Sequence, residues 1–282
     1  MEDIALMTDL IVIPARYGSK RFPGKPLMQI AGQSLVSRVF DIARRAVDRL
    51  DNVDIVVATD DERIVDHARS IGAEAVMTSP NITSGTGRAL AAAKSRPVLP
   101  GHVINLQGDA PFVPADVVSD LMVRARAGGD IVVTPVTRLT WEDLDVLRDH
   151  KRQSPFSGTT CIVGPQDCAL WFSKSIIPAI RNEEKHRATS PFSPVLRHIG
   201  LYAYSLRALE RFERAPVSLY EALEGLEQLR FFALDIPIAT VEIDMPIISM
   251  SGIDTPEDAA LAEYMIARIG DPFGGAVPGK QA

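Results

Sequence analysis

The chain has 282 residues, of which 46% are hydrophobic and 23% are charged, as in globular proteins with a sizeable core. Its formal net charge of -6 argues against a general nucleic-acid-binding protein, because such proteins usually carry a basic face. The two cysteines, Cys161 and Cys168, give neither a disulfide framework nor a metal-binding spacing. We therefore expect reduced thiols and a cytoplasmic protein without a membrane segment, since no run approaches the roughly 20 apolar residues of a membrane helix.

Short apolar runs alternate with amphipathic patterns over the first half of the chain. Strands are predicted at 10–14, 53–60, 75–78, 102–109 and 130–136. Helices are predicted at 34–49, at 61–71, from near Ser84 and from about Pro114. Continuous Val- and Ile-rich strands between helices indicate an α/β fold with a mostly parallel, doubly wound sheet. Because ligands bind beyond the carboxyl ends of such strands, the residues that follow each strand are the candidates for function.

The regular alternation stops between about 140 and 215. Strand-like runs in this stretch are GTTCIVG, ALWFS and HIGLYAYS, with a polar loop at 181–194. We expect an excursion with antiparallel pairing inside a single domain that spans 10–270. Residues 218–230 predict one helix despite Gly225, and a further helix is predicted to begin at Thr255-Pro256. The Gly- and Pro-rich segment 271–282 predicts a disordered tail.

The loop after the first strand carries the clearest functional signal. Its sequence, PARYGSKRFPGKP (14–26), contains four cationic side chains and two glycines. Glycine lets a backbone approach a phosphate closely, so the loop predicts phosphate binding, with a solvated surface loop as the alternative. The P-loop pattern fails because five residues separate Gly18 from Gly24 and because Pro26 follows Lys25. The G-x-G-x-x-G pattern of dinucleotide-binding folds is absent as well.

Several segments together resemble a known family. IPARYGSKRFPGKPL (13–27) resembles the signature loop of the sugar-activating nucleotidyltransferases, and it is closest to the 3-deoxy-manno-octulosonate (Kdo) cytidylyltransferase family. Further matches follow in order at VVATDDERIV (56–65), TSPNITSGTGR (78–88), VINLQGDAPFVP (103–114), RHIGLYAY (197–204), EGLEQLRFF (224–232) and SGIDTPEDAALAE (251–263). The resemblance covers the chain from Leu10 to about Ile269, and it implies a nucleotidyltransferase fold.

The resemblance implies an enzyme that transfers CMP from CTP to the anomeric hydroxyl of a 2-keto-3-deoxy sugar acid and releases pyrophosphate. Arg16, Arg21 and Lys25 match the triphosphate-binding positions of the family. Asp109 and Asp254 match its Mg²⁺ ligands, and hard carboxylate oxygens suit that ion. Catalytic roles are expected for Arg16, Arg21, Lys25 and Asp109. Taken alone, Asp109 is equally a turn residue and Asp254 a helix cap.

Two further sets of positions follow from the same resemblance. The nucleotide-binding positions are Arg16, Gly18, Ser19, Lys25, Ser84, Arg88 and Gln107. The substrate-binding positions are Gln107, Lys174, His198, Tyr202, Glu227 and Gln228. From the residues alone, Ser84 and Arg88 equally suit a helix N-cap followed by an exposed arginine, and His198 equally suits a structural histidine.

Three positions depart from the family pattern. Ala110 replaces the glutamate of the usual QGDEP, and Gly87 replaces the glutamate of the usual SGTER. Lys174 replaces the arginine of the usual FSR, and lysine lacks the planar fork of arginine. These changes predict tolerated variation, an altered sugar acid, a changed nucleotide pocket or weak activity. The same chemistry on another sugar acid or small acid therefore stays open, as does a non-catalytic nucleotide-binding protein of the same fold.

The resemblance also implies the partners of the protein. CTP and a sugar acid are the expected small-molecule partners, and a homodimer formed through 140–215 is the expected assembly. Activation of Kdo would place the protein in lipopolysaccharide biosynthesis.

Overall fold

The computed structural model describes residues 8–18, 22–244, 252–253 and 255–271. The chain forms two compact units, unit 1 from residues 1–119 and 247–282 and unit 2 from residues 120–246. The single domain over 10–270 with an excursion at 140–215 stays a prediction. Of the predicted disordered tail, residues 272–282 lie outside the described residues.

Unit 1 is built on a parallel sheet. Its strand order is β5 (Ala75–Met77), β4 (Val53–Thr59), β1 (Asp9–Ala15) and β6 (His102–Asn105). All three pairings are parallel, which confirms the α/β prediction for this part of the chain. The register pairs Ala15 with Thr59 and Thr59 with Met77, so these three strands end side by side. A small hairpin consists of β2 (Gln29–Ile30) and β3 (Gln33–Ser34).

The helices of unit 1 begin at side-chain caps. They are α1 (Leu35–Val47), α2 (Glu62–Ser70), α3 (Gly85–Lys94) and α10 (Pro256–Ile269), while α4 (Ala115–Arg126) begins in the last residues of the unit. The caps of the first four are Ser34, Asp61, Ser84 and Thr255, each of which accepts a backbone N–H bond. Thr255 forms a reciprocal capping box with Asp258, as the TPED sequence favours.

Strand β6 is shorter than predicted. The strand ends at Asn105, whereas the sequence predicted it to reach Asp109. The chain turns instead, and the N–H of Ala110 donates to the carbonyl of Gln107 at 3.1 Å. Gly108 permits the turn, because a Cβ at this position would lie only 2.5 Å from the carbonyl oxygen of Pro14. The turn places Asp109 outside the sheet and directly after it.

Unit 2 contains mainly antiparallel strands. They are β7 (Val132–Thr140), β8 (Thr159–Val163), β9 (Ala169–Ser173), β10 (Phe192–His198), β11 (Tyr202–Ser205) and β12 (Ile238–Glu242). The order β11-β7-β10-β8-β9 is antiparallel throughout, and β12 pairs parallel with β7. The helices are α5 (Trp141–Gln153), α6 (Glu183–Thr189), α7 (Leu206–Arg214), α8 (Leu219–Glu224) and α9 (Leu229–Ala233). The expected antiparallel pairing is confirmed.

The predicted helix at 218–230 is wrong, because Gly225 ends it. Gly225 takes the left-handed conformation with φ +65°, and its N–H donates to the carbonyl of Glu221 at 2.8 Å. This is the usual role of glycine after the last helical residue. Residues 226–228 then lead into α9, so Glu227 and Gln228 lie between two helices.

Two other expectations for unit 2 are also wrong. HIGLYAYS is not one strand, because the N–H of Ile199 donates to the carbonyl of Pro135 and that of Leu201 donates to the carbonyl of Ile199. These bonds bend the chain between β10 and β11. The predicted loop at 181–194 contains α6 and the first residues of β10.

Candidate functional site

Arg16 and Asp60 follow adjacent strands at the carboxyl edge of the unit 1 sheet. Arg16 comes directly after β1 and Asp60 directly after β4. Nε of Arg16 lies 3.5 Å from Oδ2 of Asp60, and the Arg16 side chain is 44% exposed. The Asp60 carboxylate therefore lies beside Nε of Arg16, while much of the Arg16 side chain faces solvent, as a phosphate-binding group requires.

The same carboxylate also holds Arg88. Nη2 of Arg88 donates to Oδ2 of Asp60 at 3.1 Å and to the carbonyl of Ile82 at 3.0 Å, and Nη1 donates to the hydroxyl of Thr78. Burial lowers the pKa of the Arg88 guanidinium, and Asp60 opposes that shift. Arg88 is buried, and its guanidinium donates to acceptors of the protein itself. These bonds connect α3 to the segments that follow β4 and β5.

Tyr17 and Gly24 close the base of the first loop. The N–H of Gly24 donates to the carbonyl of Tyr17 at 3.0 Å. Gly24 has φ +74°, a conformation that glycine adopts without strain, and it begins the 3₁₀ turn at Lys25–Leu27. Gly18 is exposed on this loop. The predicted site residues Ser19 and Arg21 lie outside the described residues.

Lys25 pairs with Asp109. Nζ of Lys25 donates to Oδ2 of Asp109 at 2.7 Å, and the two side chains are 14% and 33% exposed, respectively. The first loop and the turn after β6 therefore meet at one point, where a cation suited to phosphate lies beside a carboxylate suited to a metal ion. Two residues that were both predicted to be catalytic are in direct contact.

Gln107 and Ser84 lie at the start of α3. A Cβ at Gly85 would lie 3.1 Å from Oε1 of Gln107, so the amide packs against the first residue of the helix. The Ser84 hydroxyl accepts the N–H of Gly87 at 2.9 Å and serves as the N-cap. The structure therefore places Gln107 beside Gly85, the residue that follows Ser84.

The chain before α10 contacts Asp109. The N–H of Ile253 donates to the carbonyl of Asp109 at 2.8 Å, and a Cβ at Gly252 would lie 3.3 Å from the same oxygen. The predicted second metal ligand, Asp254, is outside the described residues. Within the described part of the chain, no group of three or more His, Cys, Asp or Glu residues is arranged to hold a metal ion. The Asp109 carboxylate supplies hard oxygen donors, which suit Mg²⁺, an ion that takes one or two carboxylates and completes its shell with water and phosphate.

His198 is buried in unit 2, where β10 ends. Its Nε2 lies 2.9 Å from the hydroxyl of Thr134 on β7. The ring packs edge-on to Phe172 and lies 5.5 Å, between centroids, from the ring of Tyr202. Burial, with a further contribution from Lys174, lowers the pKa of His198 to about 3. The histidine is therefore neutral at physiological pH.

Tyr202, which is half-buried, and Gln228, which is buried, contribute further polar groups to unit 2. Burial raises the pKa of Tyr202 well above its ordinary value, and the charges of Tyr204 and Glu227 add to the shift. Nε2 of Gln228 is buried without a hydrogen-bond partner. An unsatisfied buried donor costs free energy, and a ligand that reaches this amide would remove that cost.

Lys174 lies in a turn that Glu224 holds. The Glu224 carboxylate accepts the Lys174 N–H at 2.7 Å and the Ser173 hydroxyl at 2.8 Å. Burial lowers the pKa of the Lys174 ammonium, while Glu224 opposes the shift. Lys174 is thus a half-buried cation whose field reaches His198.

A separate cavity of about 430 Å³ lies in unit 2, and none of the predicted site residues lines it. Its polar lining includes Arg138, Cys161, Asp167, Thr240 and Glu242. Arg138 and Glu242, on the paired strands β7 and β12, form a two-point ion pair with both hydrogen bonds at 2.8 Å.

Sequence reasoning missed the roles of Asp60 and Glu224. Both stand inside segments that resemble the family, but no function was assigned to them. The signal for Asp60 was its position immediately after a buried strand at the ligand edge of the sheet. Glu224 gave no such signal, since its partners, Ser173 and Lys174, are about 50 positions away.

Among the residues that the structure describes, no helix is long and apolar enough to cross a membrane.

The chain is similar to known proteins over nearly its whole length. A sequence profile described as cytidylyltransferase matches residues 10–238. The 3-deoxy-manno-octulosonate cytidylyltransferase of Maricaulis maris is 42% identical over 266 residues, which cover 94% of this chain and 99% of that protein. The Chlamydia pneumoniae protein with the same name is 35% identical and covers 93% of this chain and 95% of its own. A solved structure of CMP:2-keto-3-deoxy-manno-octonic acid synthetase complexed with CTP aligns with a TM-score of 0.76 and 32% identity, covering 92% of this chain and 98% of that one.

Proposed function

Because the chain belongs to the cytidylyltransferase family, we propose that it transfers CMP from CTP to the anomeric hydroxyl of Kdo and releases pyrophosphate. Family membership confirms the resemblance that the sequence motifs indicated. The observation that carries the proposal to a reaction is the contact between Lys25 and Asp109 at the carboxyl edge of a parallel sheet. There a phosphate-binding cation meets a carboxylate suited to a metal.

The first loop binds the triphosphate. In the reaction, the sugar hydroxyl attacks the α-phosphorus, and the bond to the pyrophosphate oxygen breaks. Arg16 and Lys25 neutralise the charge that grows on the leaving pyrophosphate, together with Arg21, Gly18 and Ser19 of the same loop. Little covalent work falls on the protein in such a transfer, so positioning and charge stabilisation account for the rate.

Asp109 and Asp254 hold Mg²⁺ in this proposal. One hydrogen bond supports this assignment. Ile253, the residue before Asp254 in the sequence, donates its N–H to the carbonyl of Asp109. The ion would supply Lewis acidity at the α-phosphate and would favour the ionised sugar hydroxyl. Gln107 and Ser84, at the start of α3, contribute to the nucleotide pocket.

The sugar acid is bound by residues of unit 2, namely Lys174, His198, Tyr202, Glu227 and Gln228. Lys174 supplies a positive charge for the sugar carboxylate. His198, which is neutral, serves as a hydrogen-bonding group for sugar hydroxyls and does not transfer a proton from a charged imidazolium. The unsatisfied amide of Gln228 is a further donor.

The protein acts as a cytoplasmic homodimer in this proposal, and Kdo activation serves lipopolysaccharide biosynthesis. Exposed apolar side chains within 140–215 support a subunit interface there, in particular Phe156, Leu170 and Phe192.

The test is pyrophosphate release from CTP in the presence of Mg²⁺, across a panel of Kdo, amino-Kdo and sialic-type acids. We expect turnover with Kdo, and little with UTP in place of CTP. Turnover with another acid alone would overturn Kdo as the substrate and would point to Lys174, Gly87 and Ala110 as the source of the changed specificity. Bound CTP without turnover on any acid would favour a non-catalytic nucleotide-binding protein.

A further inference from the structure

Arg63 joins the N-terminus of α2 to the first loop. Its Nε and Nη2 donate to the two carboxylate oxygens of Asp61 at 2.8 and 2.7 Å. The face of its guanidinium lies over the ring of Tyr17, with Cζ 3.4 Å from the ring centroid. Asp61 is itself fixed as the N-cap of α2. The planar guanidinium is thus held by a rigid helix end and rests on a tyrosine of the phosphate loop.

Tyr17 in turn fixes the far end of the loop. The backbone carbonyl of Tyr17 accepts the N–H of Gly24. A Cβ at Gly24 would lie 3.3 Å from the side-chain hydroxyl oxygen of Tyr17. Gly24 begins the turn that contains Lys25, whose ammonium reaches Asp109. A continuous series of contacts therefore runs from Asp61 through Arg63, Tyr17 and Gly24 to the cation beside the carboxylate.

We propose that Arg63 is a positioning residue for the triphosphate loop and that it acts through Tyr17. The inference rests on the proposed function, because it takes CTP as the ligand of this loop. When Arg63 restrains Tyr17, the contact between Tyr17 and Gly24 is in place before the nucleotide arrives. Without that restraint, part of the CTP binding free energy is spent on fixing Tyr17 and Gly24, and binding is weaker.

Arg63 is assigned an indirect role because two partners already orient its guanidinium. Its Nε and Nη2 donate to Asp61 and its π-face lies on Tyr17, which leaves the donors of Nη1 outside these contacts. A direct phosphate contact through Nη1 would persist in Tyr17→Leu, and the effects of the two substitutions would then add. Loss of Arg63 should weaken the binding of CTP in the ground state and in the transition state to the same extent. The Michaelis constant for CTP should therefore rise while kcat stays nearly constant.

The experiment is a double-mutant cycle on the full-length protein with Arg63→Ala, Tyr17→Leu and the double variant. Equilibrium binding of CTP and steady-state kinetics are measured on each. We expect a weakening of about two- to fivefold for either single change, which corresponds to an exposed cation–π contact, and no further weakening in the double variant. Tyr17→Phe, which keeps the ring, should bind CTP as the unaltered protein does.

Arg69→Ala is the matched control. Arg69 lies on the same helix, its side chain is 67% exposed, and its Nη1 lies 4.0 Å from Oδ1 of Asp66. Its replacement therefore removes one arginine from α2 and leaves the contact between Arg63 and Tyr17 in place. We expect unaltered CTP binding in this variant. A melting temperature shared by all variants would show that the cycle reports on the loop and not on global stability.

Effects of Arg63→Ala and Tyr17→Leu that simply add would overturn the inference, as would a loss confined to kcat. If the unaltered protein binds CTP but turns over no sugar acid, the proposed function fails while the binding cycle still decides the role of Arg63. If the unaltered protein does not bind CTP, both are overturned.

Discussion

Nζ of Lys25 lies 2.7 Å from Oδ2 of Asp109, although 84 positions separate them in the chain. The contact joins the cationic loop after β1 to the turn after β6. Among the described residues of the loop, Asp109 balances the charge of Lys25, and Asp60 lies 3.5 Å from Arg16. Each partner sets the electrostatic environment in which the other meets its ligand.

Replacing Lys25 by alanine should lower kcat/KM for pyrophosphate release by about a hundredfold. The reason is that a preorganised cation which stabilises developing charge is worth about that much in an enzyme site. Lys94→Ala, on the exposed side of α3, is the matched control and should leave the rate unchanged. Steady-state kinetics at saturating Mg²⁺ make the comparison, and a Lys25→Ala enzyme with full activity would exclude Lys25 from the phosphate site.

Replacing Asp109 by asparagine should raise the Mg²⁺ concentration needed for half-maximal activity by at least about tenfold. The amide keeps the shape of the side chain but loses the charge that a hard divalent cation prefers. A titration of rate against Mg²⁺ measures the effect, with Asp116→Asn in the first turn of α4 as the control. An unshifted titration would remove Asp109 from the metal site.

Replacing Arg88 by methionine separates a structural role from a nucleotide-binding role. The substitution leaves the Asp60 carboxylate, whose side chain is 9% exposed, with the longer 3.5 Å contact to the partly exposed Arg16. A buried pair that is fully broken costs about 3–5 kcal/mol of unfolding free energy, and the remaining Arg16 contact places the expected loss at the lower end of that range. We expect that loss in denaturant unfolding, and we expect none with Lys94→Met on the same helix. A stable Arg88→Met protein that binds CTP weakly would instead show that Arg88 contacts the nucleotide.

The strands and helices around the first loop were predictable because they depend on local pattern. Val- and Ile-rich runs marked β1 and β4, and the TPED sequence marked the start of α10. The break at Gly225 was missed, since the apolar spacing continues through it and only the left-handed backbone ends the helix. A glycine inside a periodic run is ambiguous by sequence alone.

Partners in the site were less predictable than its members. The motif resemblance identified Lys25 and Asp109 separately, but their contact depends on the turn at Gly108, where Cβ would strike Pro14. Asp60 and Arg63 follow β4, whose parallel register with β1 pairs Thr59 with Ala15. Their roles depend on this register, because it places them beside Arg16 and Tyr17, which follow β1. Such pairings follow from packing between distant segments, which spacing along the chain does not encode.

Replacing Gln228 by methionine should raise the KM for Kdo by about tenfold or more and change stability little. The side chain is buried, and its Nε2 has no hydrogen-bond partner, so an apolar side chain of similar length removes an unsatisfied donor. We expect the unfolding free energy to stay within about 1 kcal/mol or to rise. Leu223→Met, on the exposed side of α8, is the control. A large loss of stability with an unchanged KM would make Gln228 a structural residue.

Burial of His198 should make the folded state sensitive to acid. Its pKa is about 3 in the folded protein, against an ordinary value of 6.5. Between these two pH values the unfolded chain binds a proton at His198 that the folded protein excludes. The contribution of neutral His198 to the free energy of unfolding is therefore fully present above pH 6.5 and is lost as the pH falls toward 3. Below pH 6.5 the loss approaches about 1.4 kcal/mol of unfolding free energy per pH unit.

His198→Asn removes this titration while keeping a group that can bond Thr134. Denaturant unfolding between pH 7 and pH 4 should therefore give a flatter dependence on pH in the variant than in the unaltered protein. A constant offset from altered packing shifts the whole curve and leaves its slope alone, so the slope is the decisive quantity. His186→Asn, on the exposed surface of α6, is the control and should keep the original slope. Parallel curves for His198→Asn and the unaltered protein would mean that His198 accepts a proton in the folded state, and its assignment as a neutral sugar-binding group would then fail.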